Sequence, residues 1–573
     1  MSETEERPIK HVQCRFAVHC KSKENKDDDL HLIKEVITYE DGTTKPNVKL
    51  VKNFRRSFYL TKKGRRTYKD FKEWEKLENL DEFHCTQNTL TESVAKALGQ
   101  PWFKGSLRDL CASPYVFGVD VLSTSLIKHD YHEKWPVFTP FSLAAFDTET
   151  DVIHGHGQIM MACISFKERV FIAVQQAFVA GYSNVQERVQ LLMVKYLGEI
   201  MKERQIVFEL AIVPTEIDVV KAVVGKAHQW SPDFLAVWNI SFDMDKIIAA
   251  CERAGVAIED ILNDPKVPAE YRYFRFKKGR AKKIMASGRI LNYKPSQQWH
   301  TVFSPSSFYW IDAMCSYRQV RMGSPEEQSY SLDFILKKNK IGGKLKFAEA
   351  DHLVESPLDW HKFMQSKYPL EYIVYNAYDC ISMEILDEKT KDLQMALPNF
   401  ANFSDFQNFY SLPRKTMDEL HFFVGERGMV PGSTASNMTT DEDLLTTDVK
   451  GWIVMLPSHL VEDNGLQIIE ENPDLRTNIR IAVADLDIEG AYPNNELVMN
   501  VSKETTSKEL VKVEGIDDSI VRTQTMNISG GRTNAVEFSC TMYGLPTLDQ
   551  LLQEFNNVRA QKVQDQPHLE NLT

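Results

Sequence analysis

The sequence of 573 residues is too long for a single ordinary hydrophobic core, so we expect about two to four domains. Hydrophobic residues make up 43% and charged residues 26% of the chain, the usual balance of a globular protein. The sequence contains no run of about 18 apolar residues, so we expect no membrane-spanning helix. The formal net charge of −12 disfavours a simple nucleic-acid coat protein. It permits a DNA enzyme that combines acidic catalytic groups with local basic tracts.

The N-terminus and the cysteines indicate the compartment. The first ten residues, MSETEERPIK, are acidic and polar and are therefore not a signal peptide. The nine cysteines are scattered and form no C-x-x-C pair, which indicates reduced thiols and disfavours a zinc finger or a disulfide framework. We therefore expect a cytoplasmic protein without a membrane partner.

Residues 1–140 alternate short strand-like runs such as HVQCRFAVHC with charged turns, the pattern of a small mixed domain. Two basic tracts, Lys52–Lys72 and Arg272–Arg289, interleave aromatic residues with lysine and arginine. Such tracts are typical of a phosphate-binding surface with stacking rings. A solvated basic face has the same composition.

From about residue 141 the pattern changes to buried strands that alternate with helices. LAAFDTET, QIMMACISF and RVFIAVQQAFV predict a three-strand meander, and VQERVQLLMVKYLGEIMKERQ has the apolar spacing of a helix. FLAVWNISFDMDKIIAACERAG predicts a strand, a turn and a helix, and PLEYIVYNAYDCISMEILDEKTKDL predicts a long helix. The stretch 275–305 predicts an exposed hairpin or loop. This order predicts an α/β core layered with helices.

Carboxylates end or interrupt these apolar elements. Asp147 and Glu149 close the first strand, and strand alternation places them on the same face. Asp243 opens a helix after a turn, and Asp379 lies one helical turn after Tyr375. Because burying an unpaired carboxylate is costly, we expect a cation beside these groups, either a basic side chain or a metal ion.

Each carboxylate has a simpler interpretation when taken alone. The D-x-E pair can be a solvated strand end, Asp243 can be a helix cap, and Asp379 can lie on the surface of an amphipathic helix. Taken together, the four carboxylates could bind two divalent cations about 3.5–4 Å apart. One cation would generate hydroxide from water, and the other would stabilise the leaving oxygen of a phosphodiester. Mg²⁺ or Mn²⁺ would suit these oxygen ligands. Asp245, further into the helix, is an alternative ligand.

DTET, NISFD and YNAYD match D-x-E, N-x2-3-F-D and Y-x3-D, the three exonuclease motifs of family B DNA polymerases. The sequence resembles most closely the replicative polymerases of T-even-type bacteriophages. SYSLDFILKKNKIGGKLKF, residues Ser329–Phe347, resembles the segment between their second and third motifs. The resemblance implies a ribonuclease-H-like fold and 3′–5′ exonuclease chemistry with two metal ions.

The resemblance also implies roles for particular residues. Four carboxylates would be metal ligands: Asp147, Glu149, Asp243 and Asp379. Tyr375 would orient the attacking water, and Asn239 and Phe242 would contact the DNA substrate. The stretch Lys282–Thr301 is placed like the strand-separating hairpin of the family.

Near the C-terminus, VADLDIEGAYPNN resembles motif A of the polymerase palm. Alignment on Tyr492 and its following proline implies that Asp487 is the catalytic, metal-binding aspartate, and that Tyr492 excludes a ribose 2′-hydroxyl. Glu489–Ala491 and Asn494 depart from the usual motif. The following VMNVSKETT resembles the continuation of the motif. No motif C and no fingers helix follow, and Asp517 with its neighbouring aspartate in GIDDSIV is predicted to form a turn.

We therefore expect a multidomain α/β and α+β protein. Its parts would be an N-terminal domain at 1–140 with part of 390–425 packed back on it, a ribonuclease-H-like exonuclease core at 141–390, and a partial palm at 425–573. The expected function is proofreading at the primer 3′ end and on single-stranded template DNA, in the host cytoplasm if the chain is viral. Because one palm carboxylate cannot hold two metal ions, a second chain would have to supply fingers, motif C and thumb. Alternatives are a truncated gene, a stand-alone repair exonuclease with a vestigial palm, and a non-catalytic DNA-binding scaffold.

Overall fold

The computed structural model describes residues 7–69, 71–284, 290–345, 347 and 356–433, together with the strands Ile468–Ile469 and Asn472–Arg476. The chain divides into two compact units, Met1–Asp441 and Glu442–Thr573. Asp487 and Tyr492, the predicted palm residues, lie outside the described residues. The expected domain limits at 140, 390 and 425 stay predictions.

The N-terminal part of the first unit forms two antiparallel sheets of three strands. Its strands are β1 (Ile9–Lys21), β2 (Asp29–Tyr39), β3 (Thr44–Lys52), β4 (Arg56–Thr61), β5 (Trp74–Lys76), β6 (Leu80–Cys85) and β7 (Val116–Phe117). Its helices are α1 (Leu90–Ala97), α2 (Leu107–Leu110) and α3 (Ser123–Lys134). The strand orders are β1-β2-β3 and β6-β4-β7. The alternating pattern of HVQCRFAVHC thus lies within the long strand β1.

A mixed sheet of six strands forms the centre of the unit. Strands of this region are β8 (Leu143–Thr150), β9 (Ile159–Phe166), β10 (Arg169–Gln175), β11 (Val207–Val213), β12 (Phe234–Val237), β13 (Arg275–Lys277), β14 (Lys282–Ile284), β15 (Ile290–Asn292), β16 (Thr301–Phe303) and β17 (Tyr309–Asp312). The sheet has the order β11-β10-β9-β8-β12-β17. β8, β9 and β10 form an antiparallel meander, and the other neighbours pair in parallel. The predicted meander and the α/β class are therefore confirmed.

Helices cover both faces of this sheet. The described helices after residue 141 are α4 (Val185–Glu203), α5 (Glu216–Trp230), α6 (Ile240–Ala254), α7 (Ile258–Leu262), α8 (Ala313–Val320), α9 (Leu332–Lys338), α10 (Pro357–Lys367), α11 (Pro369–Thr390), α12 (Leu397–Ala401) and α13 (Leu412–Gly425), of which α13 packs on the N-terminal part instead. Because strand side chains alternate, Ala145 packs with α4 and α11, whereas Ala144 and Phe146 pack with α5 and α6. β8 is therefore buried on both sides in the middle of the sheet.

Two predictions on connecting segments can be compared with the structure. The stretch 275–305 forms the antiparallel pairs β13–β16 and β14–β15, and the described residues of β14 and β15 are exposed, which confirms the predicted hairpin. After α11 the chain returns to the N-terminal part, where Lys128 Nζ donates to the carbonyl of Ser404 at 2.6 Å. Further on, Met429–Pro431 pairs with β5. The cysteines among the described residues are free and buried, and no described helix is long and apolar enough for a bilayer.

Candidate metal centre

The end of β8 presents two carboxylates to helix α11. Asn376 Nδ2 donates a hydrogen bond to Asp147 Oδ2 at 2.7 Å, and the Tyr372 hydroxyl donates to Glu149 Oε2. Both partners lie on one side of the same helix, while Phe146 packs on the opposite face of the sheet. The predicted common orientation of the two carboxylates therefore agrees with the structure. Their positions are fixed by hydrogen bonds from α11.

Asp379 joins this pair from the middle of α11. Asp147, Glu149 and Asp379 each offer an oxygen atom, and these atoms lie within 4.8 Å of one another. The Asp379 side chain is buried, and its Oδ1 has no hydrogen-bond partner among the described residues. The simpler interpretation of Asp379 as a surface residue is therefore wrong. Three acidic side chains from a strand and a helix converge on one point.

Asp243 lies beside this group and is held by the strand itself. Its Oδ1 accepts hydrogen bonds from the Thr148 backbone nitrogen at 3.1 Å and from Thr148 Oγ1 at 2.6 Å. Thr148 points to the α6 face of the sheet, so Asp243 approaches the strand end from the side opposite α11. Its charge adds to those that raise the pKa of Asp147. Asp243 is thus an electrostatic neighbour of the three convergent carboxylates.

The turn before α6 fixes the approach of Asp243. Asn239 has a left-handed backbone with φ of 72°, a conformation that asparagine tolerates better than most residues. Asp312 Oδ2 accepts from the backbone nitrogen of Ile240 at 3.0 Å and anchors the first turn. Phe242 is 47% exposed, with Lys246 Nζ 5.4 Å from its ring centroid. Asp245 pairs instead with Lys278 at 2.6 Å, so this alternative ligand is engaged elsewhere.

Lys344 is the cationic residue of the site, and the sequence did not single it out. Its Nζ donates to Asp379 Oδ2 at 2.7 Å and to the Tyr375 hydroxyl at 2.5 Å. The expected cation beside the carboxylates is therefore, in part, a basic side chain. Gly342, with φ of +112°, and Gly343 form the turn that leads into Lys344, and a Cβ at Gly343 would lie 2.8 Å from Asp333 Oδ1. The double glycine in KIGGKLKF is the only local signal for this turn.

Two consecutive hydrogen bonds, from His361 to Tyr372 and from Tyr372 to Glu149, hold the Glu149 carboxylate in place. The single hydroxyl proton of Tyr372 is directed to Glu149, so the Tyr372 oxygen accepts from His361 Nδ1 at 2.7 Å. Burial lowers the pKa of His361 to about 4, which keeps the imidazole neutral with its proton on Nδ1. Sequence reasoning missed Tyr372, Asn376 and His361, because their positions in a helical pattern look like ordinary core residues.

The site is short of positive charge. Burial, reinforced by the charges of Asp243, Glu149 and Asp379, raises the pKa of Asp147 well above its usual range. Burial likewise raises the pKa of Glu149 to about 8 and that of Asp243 to about 7. Burial alone would lower the pKa of Lys344, but Asp379 raises it above its usual value, so the ammonium stays charged.

One ammonium cannot neutralise four carboxylates. Among the described residues, Lys344 is the cation that hydrogen-bonds to this group, and it leaves Asp379 Oδ1 without a partner. An all-oxygen donor set with excess negative charge suits hard divalent cations such as Mg²⁺ or Mn²⁺. The chemistry of the donor set therefore fits a metal at Asp147, Glu149 and Asp379.

A second group of possible ligands lies on α3. His129, Asp130 and Glu133 also offer three ligand atoms within 4.8 Å of one another. Asp130 and Glu133 are exposed, and the His129 ring stacks on Phe422 with centroids 4.1 Å apart. Stacking accounts for the histidine, and exposed acids on one helical turn are common without a metal.

The chain matches no protein-family model and no curated protein. The candidate site is defined by its own side chains, which are drawn from β8, α6, α11 and the turn before Lys344.

Removing charge from the site should stabilise the protein when no divalent cation is present. The pKa values of these carboxyls are higher in the folded state than the values near 4 of the unfolded chain. The free energy of unfolding therefore falls as the pH rises from about 4 towards 8 and the buried carboxyls lose their protons. Asp147→Asn combined with Glu149→Gln should therefore raise the unfolding temperature in EDTA at pH 8 by several degrees and much less at pH 5, at about 2–4 °C per kcal/mol. Differential scanning calorimetry measures both values.

The matched control is Glu187→Gln with Glu199→Gln, two exposed acids on α4. This pair should show no comparable gain at either pH. Added Mg²⁺ should reduce the difference in unfolding temperature between the Asp147/Glu149 variant and the parent protein at pH 8, because it stabilises only the parent protein. An equal gain at both pH values, or none at pH 8, would contradict the electrostatic account of the site.

Proposed function

We propose that this chain is a 3′–5′ DNA exonuclease, the proofreading part of a family B DNA polymerase of the T-even phage type. The observation that carries the proposal is the convergence of Asp147, Glu149 and Asp379 within 4.8 Å, with Asp243 beside them. These are the four carboxylates of the motifs that resemble the family. Tyr375 lies one helical turn from Asp379, where the third motif requires it.

The arrangement of the central sheet supports a ribonuclease-H-like core. An antiparallel meander, β8 to β10, is followed by β12 and β17, which pair in parallel on the other side of β8. The acids lie at the end of the middle strand and on a helix packed against it. We infer that this sheet and α11 form the exonuclease core expected from the resemblance.

The proposed reaction is metal-assisted hydrolysis of the terminal phosphodiester. Asp147, Glu149 and Asp379 would hold the cations, with Asp243 as the neighbouring acid. When bound, divalent cations supply charge stabilisation and a more acidic water. Uncharged and cationic side chains around this acidic group would orient the attacking water and offset charge on the phosphate.

Tyr375 is suited to orient water rather than to remove its proton. Burial, with the charge of Asp379 next, raises its pKa well above the usual range, so the phenol stays protonated. Its oxygen accepts from Lys344, and its hydroxyl also hydrogen-bonds with Asp379, so the phenol lies where it could hold a water against the acidic group. Lys344 would offset negative charge that develops on the phosphate during attack. The two residues act as one hydrogen-bonded unit.

We also propose that Asp487 belongs to a polymerase palm, which needs fingers, motif C and thumb to add nucleotides. The support is the resemblance of VADLDIEGAYPNN, around Asp487, to motif A of the family. DNA would be the shared partner, with the primer 3′ end passing between the two activities. A second chain with fingers, motif C and thumb would complete nucleotide addition.

Exonuclease activity is the direct test. The protein should degrade labelled single-stranded DNA from its 3′ end in a Mg²⁺-dependent reaction. Asp147→Ala with Glu149→Ala should lower kcat by on the order of 10³-fold or more, since several kcal/mol of transition-state stabilisation are lost. Glu187→Gln with Glu199→Gln is the matched control and should be unchanged. Digestion that survives in the Asp147/Glu149 variant would contradict the proposal.

Lys344 should contribute to the rate in a measurable way. Lys344→Met should lower kcat about 10–100-fold, as expected for the loss of a charged hydrogen-bond donor. The same variant should reach half-maximal rate at a lower Mg²⁺ concentration, because a competing cation is gone. Lys337→Met, which removes an exposed lysine paired with Asp333, is the control. A normal kcat for Lys344→Met would show that the lysine is only structural.

Polymerase complementation tests the proposed palm role of Asp487. Mixed with a chain that carries fingers, motif C and thumb, the protein should extend a primer. Asp487→Asn should abolish extension and leave exonuclease activity intact, since the two acidic sites are separate in sequence. Absence of extension at every stoichiometry would count against the second half of the proposal and leave the first untouched.

A further inference from the structure

Strand β11 forms an open edge of the central sheet. It pairs with β10 on one side, where Val207 N donates to the carbonyl of Glu168 at 2.7 Å. In this parallel register the backbone groups of Phe208, Leu210 and Ile212 point away from β10. Within the described part of the chain these three N–H groups and three carbonyls have no hydrogen-bond partner. An open edge of this kind is a template for another strand.

β11 lacks the protection seen at three other sheet edges, those of β1, β3 and β17. β3 carries three lysines and a proline, β1 has two register irregularities, and most of β17 is buried. β11 reads VFELAIV and pairs with β10 over its whole length without a bulge. Val207 is 59% and Ile212 45% exposed, and α4, which packs against β11, exposes Leu191 and Val194. Proteins usually block such edges with charge, proline or a bulge.

We propose that β11 pairs antiparallel with β11 of a second copy of this chain. A two-fold axis at Leu210 places Leu210 opposite its own counterpart and Phe208 opposite Ile212 of the other copy. In an antiparallel ladder every second residue belongs to a hydrogen-bonded pair. In this register those residues are Phe208, Leu210 and Ile212, so each of their outward N–H and carbonyl groups gains a partner in the other copy. The interface is isologous and closed, and the result is a continuous sheet of twelve strands.

The charge pattern of the strand suits this self-pairing. Glu209 is the only charged residue of β11, and in the proposed register it lies opposite Ala211 of the other copy. Lys226 of α5 is bonded to Glu209 at 2.5 Å. The two-fold axis therefore brings two glutamates and two lysines together on the α5 side of the sheet, a charge-balanced group. The apolar side chains of Phe208, Leu210 and Ile212 meet on the α4 side.

Sedimentation equilibrium of the full chain over a wide concentration range tests the proposal. The mass should rise from 65.9 kDa towards twice that value as concentration increases. Ile212→Pro should raise the dimer dissociation constant about tenfold or more, because it removes an outward N–H in each copy without touching the ladder to β10. Ile212→Lys, which keeps the N–H but adds like charge at the interface, is a second variant should the proline impair folding.

Leu77→Lys changes an exposed leucine in the N-terminal part and should leave the dissociation constant unchanged. Hydrogen exchange adds a residue-specific measurement, since the amides of Phe208, Leu210 and Ile212 should become protected only as concentration rises. A monomer at all concentrations would overturn the proposal. A dimer unaffected by both Ile212 variants, or protection of the three amides in the monomer, would also overturn it, since another strand would then occupy the edge.

Discussion

The need to hold like charges together in a buried place governs this structure. Asp147, Glu149 and Asp379 converge although burial raises the pKa of each, and Asp243 adds a fourth charge. Such a group is costly unless the surrounding fold holds it in place. That stabilisation comes from the apolar clusters on both faces of the central sheet, which fix β8 and α11 independently of the acids. Lys344 offsets part of the charge, and a divalent cation would offset more.

The orientation of the carboxylates is set before any ligand arrives. Asn376 and Tyr372 donate to the two acids of β8, and Thr148 donates twice to Asp243. All the donors are neutral side-chain or backbone groups, so they fix direction without cancelling charge. The site therefore keeps its attraction for cations while losing little conformational freedom on binding. This combination of fixed geometry and uncompensated charge suits a cation and differs from an ordinary buried ion pair, in which the two charges compensate each other.

Local periodicity predicted the elements and the faces of the site but not its long-range partners. Strand alternation predicted that Asp147 and Glu149 share a face, and helical spacing predicted that Tyr375 and Asp379 do. The contact between these faces depends on the packing of α11 over β8, which no local pattern specifies. Lys344 shows what local patterns could not predict. Buried acids indicated a neighbouring cation, either a basic side chain or a metal ion. That a lysine lies there depends on the glycine turn before Lys344, which brings its side chain to the acids.

The two proposed roles of the central sheet use different parts of it. The acids lie at β8, and the open edge lies at β11, with β9 and β10 between them. Pairing at the edge would extend the sheet outward without moving β8 or α11. Within the part of the chain that the structure describes, the edge residues share no hydrogen-bond partner with the acidic group. Effects of changes at the two places should therefore be additive. A sheet whose middle strand carries the acids and whose outer strand is open could serve both proposed roles, because each role depends on a different strand.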